Sequence, residues 1–301
     1  MVTGGKPLKT YNEIYFAARK RLKEAGIDAF ALEARLIVET AAGKSREEFL
    51  RDANLYVGPG YAETVDEMIR RRLNDEPVAY ITGEWAFYGL PMNVSPDVLI
   101  PRADTELLAE TAITLLSGRD GGARVMDLCC GSGCVGIAIA ANVPGTRVVF
   151  IDNAPKALAV CRANLMRNGL TRFASYVETD ALHTPPMLIG RFDMIVCNPP
   201  YIPTADLKKL DRSVRNFEPL GALDGGKDGL NFYRAITKKW SPVLKPGGAL
   251  LYECGIGQAQ TVADLMRNSG YTTVTILKDT QGIDRVVAGM MTGGQENGRE
   301  G

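Results

Sequence analysis

The sequence predicts an α/β fold in which a mostly parallel, doubly wound sheet of seven strands ends in an antiparallel hairpin and follows a small bundle of helices. Three observations carry this. Apolar, β-branched runs at 124–128, 147–152, 174–178, 192–197 and 249–253 alternate with amphipathic segments, the pattern of parallel strands joined by crossover helices. The first run enters a glycine turn, Leu128-Cys129-Cys130-Gly131-Ser132-Gly133, and a helical stretch over 135–141. The runs 271–277 and 284–288 follow too closely for a helix between them, so they form a hairpin.

In chain order, residues 1–75 read as helical. Thr10-x-x-Glu13 and Ser45-x-x-Glu48 are capping boxes, Asp28 is a further N-cap, Gly26 and Gly43 stop helices, and Gly58-Pro59-Gly60 breaks the chain before the last of four helices. Residues 76–101 read as a β-hairpin linker, with Tyr80-Ile81-Thr82 and Met92-Asn93-Val94 as strands broken by Gly83, Gly89 and Pro91. Residues 102–291 hold the sheet, and the Gly-rich tail 292–301 is expected to be disordered.

With 301 residues, 46% of them hydrophobic, the chain can bury a sizeable core. Its 35 basic and 35 acidic side chains cancel, which removes the electrostatic footprint of a dedicated duplex-DNA binder. Arg70-Arg71-Arg72 ends a helix, where cations complement the dipole and face solvent. The six cysteines include no C-x-x-C pair and read as reduced and mostly buried, a pattern suited to the cytoplasm. His183 is the only histidine, so histidine-centred triads and His-rich metal sites are excluded and no metal is expected. No signal sequence opens the chain, and the longest uncharged stretch, 128–146, is interrupted by glycines, Asn142 and Pro144, so no membrane span is expected.

The glycine turn points to a nucleoside cofactor. Gly131 and Gly133 allow close approach of a ligand at the helix N-terminus, and Asp152, ending the second strand, is placed to accept from ribose hydroxyls. Gly131-x-Gly133-x-x-Gly136 also satisfies the dinucleotide fingerprint, so a nicotinamide cofactor is a rival. Against it stand Asp127, whose charge suits an ammonium better than a pyrophosphate, and Asp180, placed to accept from an adenine amino group. This acidic lining favours S-adenosylmethionine, which carries sulfonium and ammonium charges; each aspartate alone also reads as a strand-end turn.

Asn198-Pro199-Pro200-Tyr201 follows the fourth strand. The two prolines fix their own φ and restrict the residues before them, so the Asn198 and Pro199 oxygens are rigidly held acceptors for the two N–H bonds of an amide or exocyclic amine. Tyr201 adds a flat face. A Pro-rich strand exit accounts for the tetrapeptide equally well on its own.

With the 127–133 turn followed by Asn198-Pro199-Pro200-Tyr201, the chain resembles class I, Rossmann-like methyltransferases that use S-adenosylmethionine to modify a planar nitrogen. Tyr80-Ile81-Thr82-Gly83-Glu84, Phe87-Tyr88-Gly89, Leu99-Ile100-Pro101-Arg102-Ala103-Asp104-Thr105-Glu106 and Glu218-Pro219-x-x-Ala222-Leu223-Asp224-Gly225-Gly226 narrow the resemblance to the HemK family of release factor N5-glutamine methyltransferases, over about residues 10 to 290. The resemblance implies methylation of the glutamine in a Gly-Gly-Gln loop of peptide chain release factors. Asn198, Pro199 and Tyr201 would be catalytic, with Pro200 also against the substrate. The cofactor would lie on Asp127, Cys129, Cys130, Gly131, Ser132, Gly133, Asp152, Asp180, Ala181 and Asn198. The residues 1–75 would dock the protein substrate, with no direct nucleic-acid binding. Ala103, Cys130 and Asn153 depart from the residues usual in the family. Ribosomal-protein glutamine and the adenine N6 of DNA are the other targets such a tetrapeptide fits; the second would need a recognition module that the neutral helical segment does not resemble. Gly293-Gly294-Gln295 in the tail repeats the target tripeptide, as chance allows in a Gly-rich tail.

Overall fold

A computed structural model describes residues 8–118 and 122–292. Two compact units emerge, one running to Gly83 and including Arg212–Phe217, the other comprising the remainder. In chain order the elements are α1 (Tyr11–Glu24), α2 (Phe30–Ala42), α3 (Arg46–Arg51), α4 (Pro59–Leu73), α5 (Val78–Thr82), β1 (Glu84–Phe87), β2 (Leu90–Asn93), α6 (Glu106–Leu116), β3 (Arg124–Leu128), α7 (Cys134–Asn142), β4 (Arg147–Asp152), α8 (Pro155–Arg167), β5 (Ala174–Glu178), β6 (Phe192–Cys197), α9 (Arg212–Phe217), α10 (Asn231–Lys239), β7 (Leu244–Glu253), α11 (Ala259–Asn268), β8 (Tyr271–Lys278) and β9 (Asp284–Met291).

In the first unit both capping boxes form: Glu13 N–H donates to Thr10 Oγ1 at 3.2 Å while Thr10 N–H donates to Glu13 Oε2 at 2.8 Å, and Ser45 and Glu48 repeat the pair. Ile14, Ala18 and Leu22 of α1 bury against Ala34, Ile37 and Val38 of α2 and Val65 and Ile69 of α4. Three expectations fail here. Asp28 does not cap α2, whose first turn follows Ala29 without a side-chain cap. Tyr80-Ile81-Thr82 is helical: α5 starts at Val78 after Pro77 and ends at a left-handed Gly83, and burial of Val78 to Ile81 outweighs the strand preference of Val78, Tyr80 and Ile81. Arg71 and Arg72 do not simply face solvent, since Arg71 grips Glu76 with two bonds of 2.8 and 2.6 Å and Arg72 reaches Glu33 at 2.6 Å. The hairpin expected in the linker is β1–β2 alone.

The second unit is the seven-stranded sheet, in the order β5-β4-β3-β6-β7-β9-β8, parallel except that β9 runs antiparallel to both neighbours. Alternate residues split the core. Val125, Phe150, Val196 and Leu251 face α6, α7 and α8, whereas Met126, Ile151, Ile195 and Leu250 face α10 and α11. β7 starts five residues before the expected run, taking exposed Lys245-Pro246-Gly247 and buried Gly248 into its start beside a register shift in β6. The chain order reverses between β3 and β6, so a crevice opens at the carboxyl ends of β3, β4 and β6. The expected tail lies outside the described residues apart from Thr292, as does Gly293-Gly294-Gln295. No described helix is long and apolar enough to cross a membrane.

Candidate active site

β3 delivers the chain into its turn with backbone that side chains rarely adopt: φ is 60° at Cys129, 52° at Gly131 and 79° at Gly133. Two hydrogen bonds lock the turn onto β4. Cys130 N–H donates to Ile151 O at 2.9 Å, and Gly131 N–H to Asp152 Oδ2 at 2.9 Å. Asp152 Oδ1 takes the Ala154 N–H at 3.0 Å, so each oxygen is held by one amide and keeps lone pairs for a ligand. Burial pushes its carboxyl up, against the pull of those amides. The two turn glycines differ in purpose. Gly131 has open space around it, whereas a Cβ on Gly133 would lie 2.5 Å from Cys161 Sγ, so Gly133 serves the packing of α7 on α8 and does not line the crevice.

Asp127 is buried, with Oδ2 accepting the Gly136 N–H at 2.9 Å. Burial pushes its carboxyl up to about 8, the Gly136 bond pulls it down, and the nearby Asp152 charge raises it further. Without a bound cation it is therefore mostly protonated at neutral pH, contrary to the fixed charge that the sequence suggests. Asp180 sits two residues beyond the end of β5, where Oδ1 accepts the Leu182 N–H at 2.8 Å. Trp240 pins that turn by donating to Ala181 O at 2.9 Å and His183 O at 3.0 Å.

At the exit of β6, Asn198 faces the crevice and its Nδ2 donates to Thr105 Oγ1 at 3.2 Å. That bond leaves Oδ1 as the free acceptor. Pro200 lines the crevice too, while Pro199 and Tyr201 do not. Tyr201 is seated from behind: Gln258 Nε2 donates to its carbonyl at 2.9 Å, and a Cβ on Gly225 would lie 2.7 Å from its Cα. Its phenol is pushed well up, chiefly by burial.

Sequence reasoning missed the supports. Buried Glu218 accepts from Ile100 N–H at 3.3 Å and from Arg102, joining two rims of the crevice. Buried Asn164 of α8 donates to Asn93 O at 3.1 Å and Ser132 O at 3.0 Å, tying the β1–β2 hairpin to the glycine turn. A polar residue on the apolar stripe of α8, beside Leu158, Cys161 and Leu165, was the available signal.

The glycine turn, Asp152, Asp180 and Asn198 line one cleft of about 1010 Å³, the open space at its mouth included. Asp97, Asp127, Asp152 and Asp180 line it against one cation, Arg102, which Glu218 engages. Val98, Leu99, Val135, Ala181 and Phe232 supply apolar walls. An acidic cleft with an apolar flank fits S-adenosylmethionine and disfavours a pyrophosphate cofactor.

Residues 103–213 match the methyltransferase small domain, and residues 13–83 match the PrmC N-terminal domain. A release factor glutamine methyltransferase of Geobacter sulfurreducens is 39% identical over 280 residues, 93% of this chain and 96% of that protein. One of Caulobacter vibrioides is 37% identical over 281 residues, 93% of this chain and 96% of its own length. The crystal structure of a methyltransferase from Pyrococcus furiosus shares the fold at 18% identity, with a TM-score of 0.51 over 75% of this chain and 99% of that one. Identity of this level along nearly the whole of both chains, with the turn, Asn198 and Pro200 brought to one cleft, leaves one assignment: the chain belongs to the release factor glutamine methyltransferase family.

Proposed function

We propose that this protein methylates the N5 side-chain amide of the glutamine in the Gly-Gly-Gln loop of peptide chain release factors. The observation that carries the reading is the Asn198 amide, anchored by Thr105 through Nδ2 with Oδ1 left to accept, in the same cleft as Asp152 and the glycine turn. S-adenosylmethionine supplies an electrophilic methyl group on a sulfonium. Asp152 and Gly131 would hold the ribose end, Asp180 and Ala181 the base, and Asp127, Cys129, Cys130 and Ser132 the remainder.

An amide nitrogen is a weak nucleophile because its lone pair is delocalised, so the chain's work is orientation. Asn198 Oδ1 and the Pro199 carbonyl accept the two amide N–H bonds, turn the nitrogen toward the methyl group, and stabilise the positive charge that develops on it. Pro200 walls the target side chain, and Tyr201, seated behind it by Gln258, backs that wall. The surplus proton leaves to water after transfer, so no histidine base is required. The free state of all six cysteines and the choice of a translation factor as partner both support a cytoplasmic location. The zero net charge supports recognition of protein without direct nucleic-acid binding.

The test is Asn198→Ala. Turnover on a release factor should fall roughly 100-fold or more while cofactor affinity, measured by calorimetry, is retained. Unchanged turnover would overturn the assignment of Asn198. Incubation of release factor, ribosomal proteins and DNA with labelled cofactor identifies the target, and label on either of the last two alone would replace the proposed substrate.

A further inference from the structure

β7 ends at Glu253, opposite Val286 of β9, and the mechanism above gives this carboxyl no task. It is 2% exposed, and its Oε2 is buried with no hydrogen-bond partner among the described residues. A buried carboxyl oxygen without a donor is costly, and Asp127 and Asp152, the other carboxyls near the strand ends of the cleft, each accept a backbone N–H instead. The groups facing it come from every neighbouring element. The Thr105 hydroxyl and the Asp104 carboxylate come from the turn before α6, the Arg285 guanidinium from β9, and the Asn198 amide and Tyr201 phenol from the β6 exit. Tyr233 faces it from α10, Cys134 from α7, and Cys254 follows it in the chain.

Burial dominates and pushes Glu253 up to about 7, Thr105, Arg285 and Asn198 hold it down, and Asp104 pushes it up. The Arg285 charge is shared, since Nη2 reaches Asp104 at 3.1 Å and Nε reaches Asp279 at 3.3 Å. The phenols and thiols are held neutral by burial.

Thr105 and Asn198 both lie against the Glu253 carboxyl, and Thr105 Oγ1 accepts from Asn198 Nδ2 at 3.2 Å. A hydroxyl that accepts from Asn198 Nδ2 still has one proton to donate. An ionised Glu253 takes that proton as a hydrogen bond, so Thr105 keeps its lone pair for Nδ2, and Asn198 Oδ1 faces the cleft. A protonated Glu253 donates to Thr105 instead. The hydroxyl proton is then free to bond Asn198 Oδ1, which turns the amide over and sets its N–H bonds against those of the target.

We propose that Glu253 is a positioning residue for methyl transfer: acting through the Thr105 hydroxyl, its carboxylate sets the Asn198 amide with Oδ1 toward the target nitrogen. The inference rests on the reading of Asn198 as the acceptor of the target amide. It gives the enzyme an acidic limb in turnover, with activity present above the Glu253 transition and lost below it.

Turnover is measured across pH at saturating cofactor and release factor for wild type, Glu253→Gln, Thr105→Val and Thr105→Ser, together with the ¹⁵N side-chain amide signals of Asn198 in the intact protein. Wild-type turnover should rise about tenfold per pH unit below a midpoint near 7 and level off above it. Glu253→Gln keeps an acceptor but cannot titrate, so its profile should be flat. Thr105→Val should lower turnover about tenfold or more at every pH with cofactor affinity unchanged, and Thr105→Ser should restore both level and limb. The Asn198 signals should titrate with the same midpoint in wild type and in no pH region in Glu253→Gln. A wild-type limb in Glu253→Gln, or wild-type turnover in Thr105→Val, overturns the proposal. Should wild type methylate no release factor, the functional reading fails on its own, and the Asn198 signals still decide the coupling: titration lost in Glu253→Gln upholds it, and titration unaltered there refutes it.

Discussion

Asp127 and Asp152 both reach the cleft with a backbone N–H on one oxygen, yet they serve binding differently. Burial pushes the Asp127 carboxyl up to about 8, which favours its protonated form at neutral pH. A cationic cofactor favours the ionised form, so binding should expel a proton and tighten as pH rises from about 6 to about 8. Calorimetry in buffers of different ionisation enthalpy measures that proton, and Asp127→Asn should abolish its release; an equal release in the variant refutes the role. The sign for stability is opposite. A carboxyl whose folded value is raised contributes its stability below the unfolded value and loses it as pH rises through the folded one, so cofactor-free melting temperature should fall between about pH 4 and about pH 8, less steeply in Asp127→Asn. Asp152 instead anchors the turn through Gly131 and Ala154. Its replacement by alanine removes two charge-assisted bonds, each worth about 1.5–3 kcal/mol when fully made, and should weaken cofactor binding about tenfold or more while leaving turnover at saturation close to wild type. Wild-type affinity in calorimetry would reject that role.

Among the elements, α7 fixes the cleft because it starts at the turn and lies close on β3 and β4. A Cβ on Gly136 would meet Phe150 Cε1 at 2.5 Å and Asp127 Oδ2 at 2.9 Å. Gly136→Ala should therefore cost about 1–3 kcal/mol in denaturant unfolding and disturb the Asp127 carboxyl as well; an unfolding midpoint equal to wild type would show that α7 has slack. The glycine turn and the five parallel strands were legible in the sequence because β-branched runs and φ-positive glycines are local signals. α5 was not, since burial of Tyr80 and Ile81 in the helical unit overrode their strand preference. The supports of Asn198 were illegible for another reason. Thr105 is 93 residues from Asn198 in the chain, and only the parallel order of β6 and β7, which closes the sheet beside the turn before α6, brings Thr105 and Glu253 to it. Local pattern reveals elements and turns, whereas pairings across the sheet become visible with the topology.

At the scale of the whole molecule, the cleft lies within the sheet unit, and recognition of the folded protein substrate is proposed for the helical unit. The carboxyl edge of the sheet holds the acidic cleft, and the helical unit carries exposed apolar side chains at Phe16, Leu50 and Tyr56, 52%, 64% and 70% exposed. Aromatic side chains such as Tyr are enriched among the few residues that anchor an interface. The proposal that this unit docks the release factor is best tested without cutting it away. α9 belongs to the helical unit, where Arg212 pairs with Asp75 at 3.1 Å, and a truncated chain would leave that helix without its partners. Phe16→Glu, Leu50→Glu and Tyr56→Glu keep the whole chain and place a charge where an anchor would be. If the unit docks the substrate, at least one of them raises KM for intact release factor about tenfold, the loss expected of a single anchor of about 1.4 kcal/mol, and leaves KM for a short Gly-Gly-Gln peptide unchanged. Equal effects on both substrates would instead locate the change in the cleft, and wild-type KM for intact release factor in all three variants would remove the helical unit's apolar surface from substrate recognition.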